Sequence, residues 1–214
     1  MNSVAIIDYG MSNLRSVHKA VEHVAPHARV WVTGDPQRVA SAARVVFPGQ
    51  GAIGECMRRL RDTGLDEAIV AALRSRPFLG ICLGLQALMT FSEEDGGTPG
   101  LGVFPGSVIR FPEDARADDG TRLKIPHMGW NEVHRTREHP LWSGIPQDSR
   151  YYFVHSYHVA PEDEDLVAAT TPYARGFASA LARDNIFAVQ FHPEKSQLAG
   201  LALLGNFLRW DGAA

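Results

Sequence analysis

The stretch FLGICLGLQ, residues 78–86, decides the fold because an apolar run stops at a cysteine that stands between two glycines. Residues 78–81 have the composition of a short buried strand, and residues 83–91 carry apolar side chains at helical spacing. Cys82 therefore lies at a sharp corner, where the chain needs neighbours without side-chain bulk. Gly80 and Gly84 meet that need, so the stretch predicts a strand, a strained cysteine and a helix.

Strand and helix patterns alternate on the N-terminal side of this stretch, and such alternation indicates a parallel sheet with helices on its faces. After about residue 100 the pattern changes to short strands with little helix, including a hairpin that turns at Asp184-Asn185. A last helix is predicted to begin at Ser196 as N-cap and to bury a stripe of leucines, namely Leu198, Leu201, Leu204 and Leu208. We therefore expect an α/β fold with a mostly parallel central sheet and an added antiparallel β-rich part in the second half.

The bulk composition is that of an ordinary globular chain. Its 214 residues are 45% hydrophobic and 21% charged, which is enough for one core, and we expect one domain over residues 1–214. A formal net charge of -3 gives no basic footprint for nucleic acid or for a membrane surface. The chain also contains no leader-like start and no long apolar run, so we expect a cytoplasmic protein with no nucleic-acid and no membrane partner.

The two cysteines have different surroundings. Cys56 lies beside Met57 on a predicted amphipathic helix and is interpreted as a small buried hydrophobic residue. Cys82 is placed at the carboxyl end of a strand and at the start of a helix, whose partial positive charge favours a thiolate. The amide of Leu83 would then face an oxyanion formed on an attacked carbonyl. Position therefore favours Cys82 as a nucleophile, although a G-x-C-x-G motif alone is only moderately specific.

A thiol nucleophile works best with a base and with a group that orients the base, and the segment FHPEKS supplies both. His192 ends an apolar strand, and Glu194 is two residues later, on the same face of an extended chain. A surface turn is the alternative for this segment taken alone. The other histidines carry no carboxylate or cysteine at zinc-ligand spacing, so we expect no metal and no cofactor.

A second glycine loop, FPGQG, follows another strand and contains Gly49, Gln50 and Gly51. It either allows a tight turn only or brings a second backbone amide to the oxyanion. Its spacing matches neither the dinucleotide fingerprint nor a P-loop, which argues against phosphate binding.

The motifs PGQG, GICLGLQ and FHPE, in this order, resemble those of the class I (triad) glutamine amidotransferases. Over essentially the whole chain the sequence is similar to the glutaminase subunits of imidazole glycerol phosphate synthase, in DYGMSNLRSV, IPHMGWNEV and YYFVHSYHV as well. Gln50 departs from the small apolar residue that is commoner in PGxG, and the segment at 111–121 is longer than a minimal version.

This resemblance implies roles for particular residues. It implies that Cys82, His192 and Glu194 form the catalytic triad and that amides of Leu83 and of the Gly49-Gln50 loop stabilise the oxyanion. The resemblance also implies that L-glutamine is held by Gly51, Gln86, Glu94, Ser156 and Tyr157. For Gln86, capping of local polar groups is an open alternative.

The resemblance further implies a partner, a (β/α)₈-barrel cyclase subunit that receives the ammonia within a heterodimer. The residues that it places at the docking face are Asn13, Met128, Gly129, Trp130, Asn131 and Lys195. Trp130 suits an interface anchor and a buried core equally well. Glutaminase subunits of pyridoxal phosphate synthase, anthranilate-type glutaminases and a non-catalytic binding subunit remain as alternatives.

Overall fold

The structure is a computed structural model and describes residues 3–11, 14–117 and 119–213. Within these ranges the strands are β1 (Ser3–Ile7), β2 (Arg29–Thr33), β3 (Arg44–Gly49), β4 (Phe78–Cys82), β5 (Met89–Ser92), β6 (Thr98–Pro99), β7 (Phe104–Arg110), β8 (His127–Glu132), β9 (His134–Arg135), β10 (Arg150–His155), β11 (Tyr157–Pro161), β12 (Val167–Thr171), β13 (Phe177–Arg183) and β14 (Ile186–Val189). The helices are α1 (Leu14–Val24), α2 (Pro36–Ser41), α3 (Ile53–Thr63), α4 (Leu65–Leu73), α5 (Leu83–Ala87) and α6 (Gln197–Arg209). None of the helices in the described ranges has the length and apolar character that crossing a membrane requires.

The main sheet has the order β2-β1-β3-β4-β14-β13-β11-β7-β5-β6. Its first half is parallel, from β2 to β14, and the strands from β14 to β7 pair antiparallel. β12 and β9 extend from β13, and β8 pairs with β10 in a separate antiparallel ribbon. The predicted fold class is therefore confirmed, and so is the hairpin at Asp184-Asn185 between β13 and β14.

Both faces of the central parallel strands are covered, which explains why the middle of β1, β3 and β4 is a continuous apolar run. Val4 and Ile6 of β1 pack in one buried cluster with residues of α1 and α6, whereas Ala5 and Ile7 pack in a second cluster with residues of α3 and α4. The carboxyl ends of β3, β4 and β14 consequently meet at one edge between the two helix layers. Ligand sites of open α/β sheets lie at this edge.

The helix predicted over 83–91 is shorter than expected. α5 ends at Ala87, and the chain continues as strand β5 from Met89. The carbonyl of Ala87 accepts from the Leu101 amide at 2.8 Å, and the carbonyl of Leu88 accepts from the Val103 amide at 2.9 Å. The amides of Leu101 and Val103 thus bond to carbonyls that a longer helix would use. The helix therefore ends, and residues 89–92 join the sheet as β5.

The last helix differs from its prediction in two respects. Leu198 is 82% exposed because the buried side of α6 is formed by later residues, namely Gly200, Leu203, Leu204, Gly205, Phe207 and Leu208. Ser196 stands at the N-cap position but makes no capping bond with its side chain. Its hydroxyl donates instead to the carbonyl of His192 at 2.6 Å.

Candidate active site

Cys82 adopts the strained conformation that its place in the sequence predicts. Its backbone has φ 54° and ψ -107°, a region of backbone angles that residues other than glycine rarely occupy. The residue joins β4 directly to α5, is 7% exposed and lines a cavity of about 510 Å³. The elbow therefore presents the cysteine at the carboxyl edge of the sheet.

Two glycines allow this elbow to pack against its neighbours. A Cβ atom on Gly84 would lie 1.9 Å from the carbonyl oxygen of Phe47 in β3, closer than any real contact. A Cβ atom on Gly80 would lie 3.0 Å from the Cβ of Ala188 and 3.2 Å from the carbonyl of Gly84. The prediction that the corner needs both glycines is confirmed, and the start of α5 is fixed on β3.

His192 lines the same cavity and forms a buried pair with Glu194. Nδ1 of His192 is 2.8 Å from Oε1 of Glu194, and the two side chains are 6% and 4% exposed. Because a carboxylate accepts this bond, Nδ1 carries the hydrogen and Nε2 is the atom left to act on another group. Nε2 belongs to a side chain that lines the cavity with Cys82.

Strand β10 holds the turn that carries His192. The amide of His192 donates to the carbonyl of Tyr152 at 2.9 Å, and the amide of Tyr152 donates to the hydroxyl of Ser196 at 3.0 Å. The hydroxyl of Ser196 in turn donates a hydrogen bond to the carbonyl of His192. The imidazole is thus oriented by backbone bonds as well as by Glu194.

The charge state of His192 follows from its neighbours. Burial alone lowers the pKa of an imidazole, but here it is outweighed by electrostatic and hydrogen-bond interactions with Cys82 and Glu194, which together raise the pKa of His192 to about 10. The ring is therefore an imidazolium at neutral pH, and it can give a proton to a leaving group.

The glycine loop after β3 packs against the elbow. In the sheet Gly49 is the register partner of Cys82, and a Cβ atom on Gly49 would lie 2.7 Å from the Cβ of Leu83. Gln50, Gly51 and Leu83 all line the cavity. Of the residues predicted for oxyanion stabilisation, Leu83 and Gln50 thus line the cavity with the nucleophile, whereas Gly49 lies on the neighbouring strand and does not line it.

The residues predicted to bind substrate also line the cavity, namely Gly51, Gln86, Glu94, Ser156 and Tyr157. Oε2 of Glu94 accepts from the amide of Ile53 at 2.9 Å, at the start of α3. Burial raises the pKa of Glu94, and this hydrogen bond partly offsets the effect. Glu94 thus closes one wall of the cavity and anchors the helix that follows the glycine loop.

A family model described as glutamine amidotransferase class-I matches residues 5–209. The chain belongs to the class-I glutamine amidotransferase family. A protein of Aromatoleum aromaticum named imidazole glycerol phosphate synthase subunit HisH is 63% identical over 98% of this chain and 99% of its own length. A protein of the same name from Nitrosococcus oceani is 59% identical over 100% of both chains. A solved structure described as a glutamine amidotransferase has a TM-score of 0.71 at 16% identity, covering 98% of this chain and 99% of its own, and it shows the shared fold.

Sequence analysis of this glutamine amidotransferase missed Gln190, which lies in the core behind the cavity. Its Nε2 is 3.5 Å from Sγ of Cys82, and its Oε1 is 3.2 Å from Nε2 of Gln86. Gln86 also donates to the carbonyl of Tyr157 at 3.0 Å. The two interpretations of Gln86 are therefore compatible, because its amide satisfies internal polar groups while the side chain lines the cavity. The one signal in the sequence that could have indicated Gln190 is its position two residues before His192.

A pair of buried histidines lies next to the cavity of the amidotransferase, and one of them, His155, lines it. Nδ1 of His127 is 2.9 Å from Nε2 of His155, and Nδ1 of His155 is 2.8 Å from the carbonyl of Tyr157. Burial lowers the pKa of His155 to about 3 and that of His127 to about 4, so both rings are neutral. The described residues contain no group of three or more histidine, cysteine or acidic side chains arranged to hold a metal ion.

The predicted docking residues fall on one ribbon and beside the cavity. Met128 and Trp130 of β8 are 62% and 38% exposed, so Trp130 is not a core residue. Asn131 donates to Nε2 of His127 at 3.2 Å and to the carbonyl of Pro172 at 2.9 Å. The remaining residues of this prediction are Gly129 on β8, Lys195 on the cavity wall and Asn13, which lies outside the described residues.

Proposed function

We propose that this chain is the glutaminase subunit of an imidazole glycerol phosphate synthase. It hydrolyses L-glutamine to glutamate and ammonia and passes the ammonia to a cyclase subunit in histidine biosynthesis. The observation that carries the chemistry is the cavity that Cys82 shares with His192, whose ring is bonded to the buried carboxylate of Glu194. The relatives named HisH, at 51–63% identity over nearly the full chain, support this synthase over the pyridoxal phosphate and anthranilate alternatives.

In the first step the thiolate of Cys82 attacks the side-chain carbonyl carbon of glutamine. The carbonyl oxygen becomes an oxyanion, which the amide of Leu83 and an amide of the Gly49-Gln50 loop stabilise. Each such donor contributes about 3 kcal/mol to the transition state of acyl-transfer reactions. The packing of Gly49 against Leu83 supports this assignment because it brings the two sources of amides together.

In the second step the carbon–nitrogen bond breaks, and His192 gives its Nε2 proton to the departing nitrogen, so that ammonia leaves and a glutamyl thioester remains. The neutral imidazole then removes a proton from water, which attacks the thioester and releases glutamate. Glu194 holds the ring in the tautomer that both proton transfers need and stabilises its charge. The raised pKa of His192 supports this assignment, because the resting ring already carries the proton that is transferred.

Glutamine would be held by groups that already line the cavity. Both amide hydrogens of Gln86 are used inside the protein, so Gln86 offers its carbonyl oxygen to the ligand. Glu94 offers the free part of its carboxylate to the α-amino group. Gly51 and the segment Ser156-Tyr157 line the same cavity and complete the set of contacts.

The partner would be a (β/α)₈-barrel cyclase subunit, bound as a heterodimer. Ammonia released into water is protonated and loses its nucleophilicity, so the product must pass directly to a second active site. Exposed Met128 and Trp130 suit the anchors of such an interface, with Asn131, Lys195 and Asn13 around them. A cytoplasmic location remains part of this proposal.

The proposal is tested by mixing the protein with a purified cyclase subunit and its ribonucleotide substrate and measuring imidazole glycerol phosphate. We expect product that requires both glutamine and Cys82, so that a Cys82→Ala variant is inactive with glutamine but supports full product formation with added ammonium salts. If the wild-type protein gives no product with glutamine while ammonium salts do, the partner assignment is wrong.

A further inference from the structure

Gln190 is a buried polar residue next to the nucleophile, and the mechanism above gives it no role. It follows β14 directly, is 0% exposed, and its amide donates to the carbonyl of Ser179 in β13 at 2.9 Å. It is absent from the wall of the cavity that Cys82 and His192 share. Gln190 therefore reaches the sulfur from the core side, where glutamine does not bind.

The orientation of the Gln190 amide is determined by its neighbours. The carbonyl of Tyr157 can only accept, so the atom of Gln86 that faces it must be the amide nitrogen. The same nitrogen faces Gln190 at 3.2 Å, so the Gln190 atom there must be the oxygen. Nε2 of Gln190 is consequently the atom 3.5 Å from Sγ of Cys82, and it presents a hydrogen to the sulfur.

We infer that Gln190 is a positioning residue for Cys82, which holds the thiolate through an N–H···S hydrogen bond and is itself held by Gln86. The inference rests on the proposed function and adds to it a donor on the core side of the sulfur. A hydrogen bond to a charged acceptor is stronger than one to a neutral acceptor, so this donor favours the thiolate over the thiol. It also fixes the sulfur opposite the cavity, and small displacements of a reacting atom lower rates strongly.

Two variants separate this role from simple packing. Gln190→Met keeps the length and the unbranched shape but removes the donor. Gln190→Glu keeps an oxygen for Gln86 and places a carboxylate oxygen against the sulfur, which repels a thiolate. Ser179→Ala is the matched control, because Ser179 is also 0% exposed, pairs with Gln190 through the backbone, and its hydroxyl has no hydrogen-bond partner within the described residues.

The readouts are steady-state glutamine hydrolysis in the complex with the cyclase and the rate at which iodoacetamide alkylates Cys82 at several pH values. We expect about a tenfold lower kcat and a tenfold slower alkylation at neutral pH in Gln190→Met, and a larger loss in Gln190→Glu. The KM for glutamine should stay within about twofold in Gln190→Glu, because this variant keeps the oxygen to which Gln86 donates and Gln190 does not line the cavity. The pH at which alkylation reaches half its maximal rate should rise in both variants, whereas Ser179→Ala should match the wild type.

Wild-type kcat and alkylation in both Gln190 variants would overturn the inference, and so would an equal loss in Ser179→Ala. A higher KM with unchanged alkylation in Gln190→Glu would overturn it as well, since that pattern indicates damage to the substrate site. Alkylation does not depend on glutamine chemistry, so it still tests Gln190 if the wild-type protein proves unable to hydrolyse glutamine. Failure of the wild-type protein to hydrolyse glutamine would count against the proposed function and not against the role of Gln190.

Discussion

Nδ1 of His192 lies 2.8 Å from Oε1 of Glu194, and both side chains are almost completely removed from water. A buried ion pair of this kind is strongly perturbed when one partner loses its charge, because the other charge is left uncompensated. The relationship therefore predicts how the imidazole titrates and how the enzyme responds to a change at Glu194.

Glu194→Gln should lower both the pKa of His192 and the activity. In the wild-type protein the pKa of His192 is raised to about 10, so the ring stays protonated through neutral pH. Without the carboxylate, burial is opposed by Cys82 alone, and the pKa of His192 should fall. We expect a loss in kcat of about 10²- to 10⁴-fold, the range of general acid–base contributions. Nuclear magnetic resonance titration of the His192 ring and steady-state kinetics measure the two effects, with exposed Glu138→Gln as control. Unchanged titration and unchanged kcat would contradict the assigned role.

Gly84→Ala should destabilise the protein strongly, because its Cβ atom would lie 1.9 Å from the carbonyl oxygen of Phe47. Relief requires β3 and α5 to move apart, and overpacking of this type costs about 3 kcal/mol or more. Gly205→Ala in α6 is the matched control, since the added Cβ meets only ordinary contacts of 3.4 Å or longer, with Arg209 and with Val24 of α1. It should be neutral or stabilising by up to about 1 kcal/mol. Urea unfolding measures both, and equal stability of the two variants would show that the elbow is not tightly packed.

Stability should fall in mild acid because three histidines are buried in the neutral form. Burial lowers the pKa of His127 and of His139 to about 4 and that of His155 to about 3. Between pH 6.5 and about 4 the unfolded chain binds protons at these sites and the folded chain does not, so stability decreases as the pH falls. Each histidine contributes a slope of about 1.4 kcal/mol per pH unit. Unfolding free energies at pH 7 and at lower pH measure the slope.

The contribution of His139 to this pH dependence can be measured separately, because His139 is far in sequence from the triad. Its Nδ1 accepts from the Leu141 amide at 3.1 Å. His139→Asn keeps an acceptor for that amide and removes the titration. We expect the slope to decrease by about 1.4 kcal/mol per pH unit. A slope identical to that of the wild type would show that His139 does not titrate with unfolding.

Two leucines of α6 should respond differently to truncation. Leu198 is 82% exposed, so Leu198→Ser should change the free energy of unfolding by less than about 0.5 kcal/mol. Leu204 is 0% exposed, and Leu204→Ala should cost about 2–5 kcal/mol through lost burial and a cavity. Chemical denaturation of both variants tests the burial pattern, and similar costs would contradict it.

The features that sequence predicted depend on short-range chemistry. Gly80 and Gly84 around Cys82 determine the elbow, and the two-residue spacing of His192 and Glu194 brings imidazole and carboxylate together. Each follows from a few adjacent residues. The alternation of apolar strands and helical stripes was likewise enough to predict the mostly parallel sheet.

The features that sequence analysis missed depend on distant partners. β5 replaces the end of the predicted helix because residues 101–104 return to bond the carbonyls there. Gln190 reaches Cys82 across 108 positions of the chain, and His127 reaches His155 across 28. No local pattern encodes these pairs, since they arise only after strands from both halves of the chain have paired.

In the proposed reaction Cys82 forms a covalent glutamyl thioester, which mass spectrometry of the acid-quenched protein detects after incubation with glutamine and the cyclase. Cys56 is an internal control, because it is fully buried and burial raises the pKa of its thiol to about 12. We expect a glutamyl adduct on the peptide that contains Cys82, none on the peptide that contains Cys56, and none in Cys82→Ala. An adduct on Cys56, or glutamine hydrolysis that continues at the wild-type rate in Cys82→Ala, would show that Cys82 is not the nucleophile.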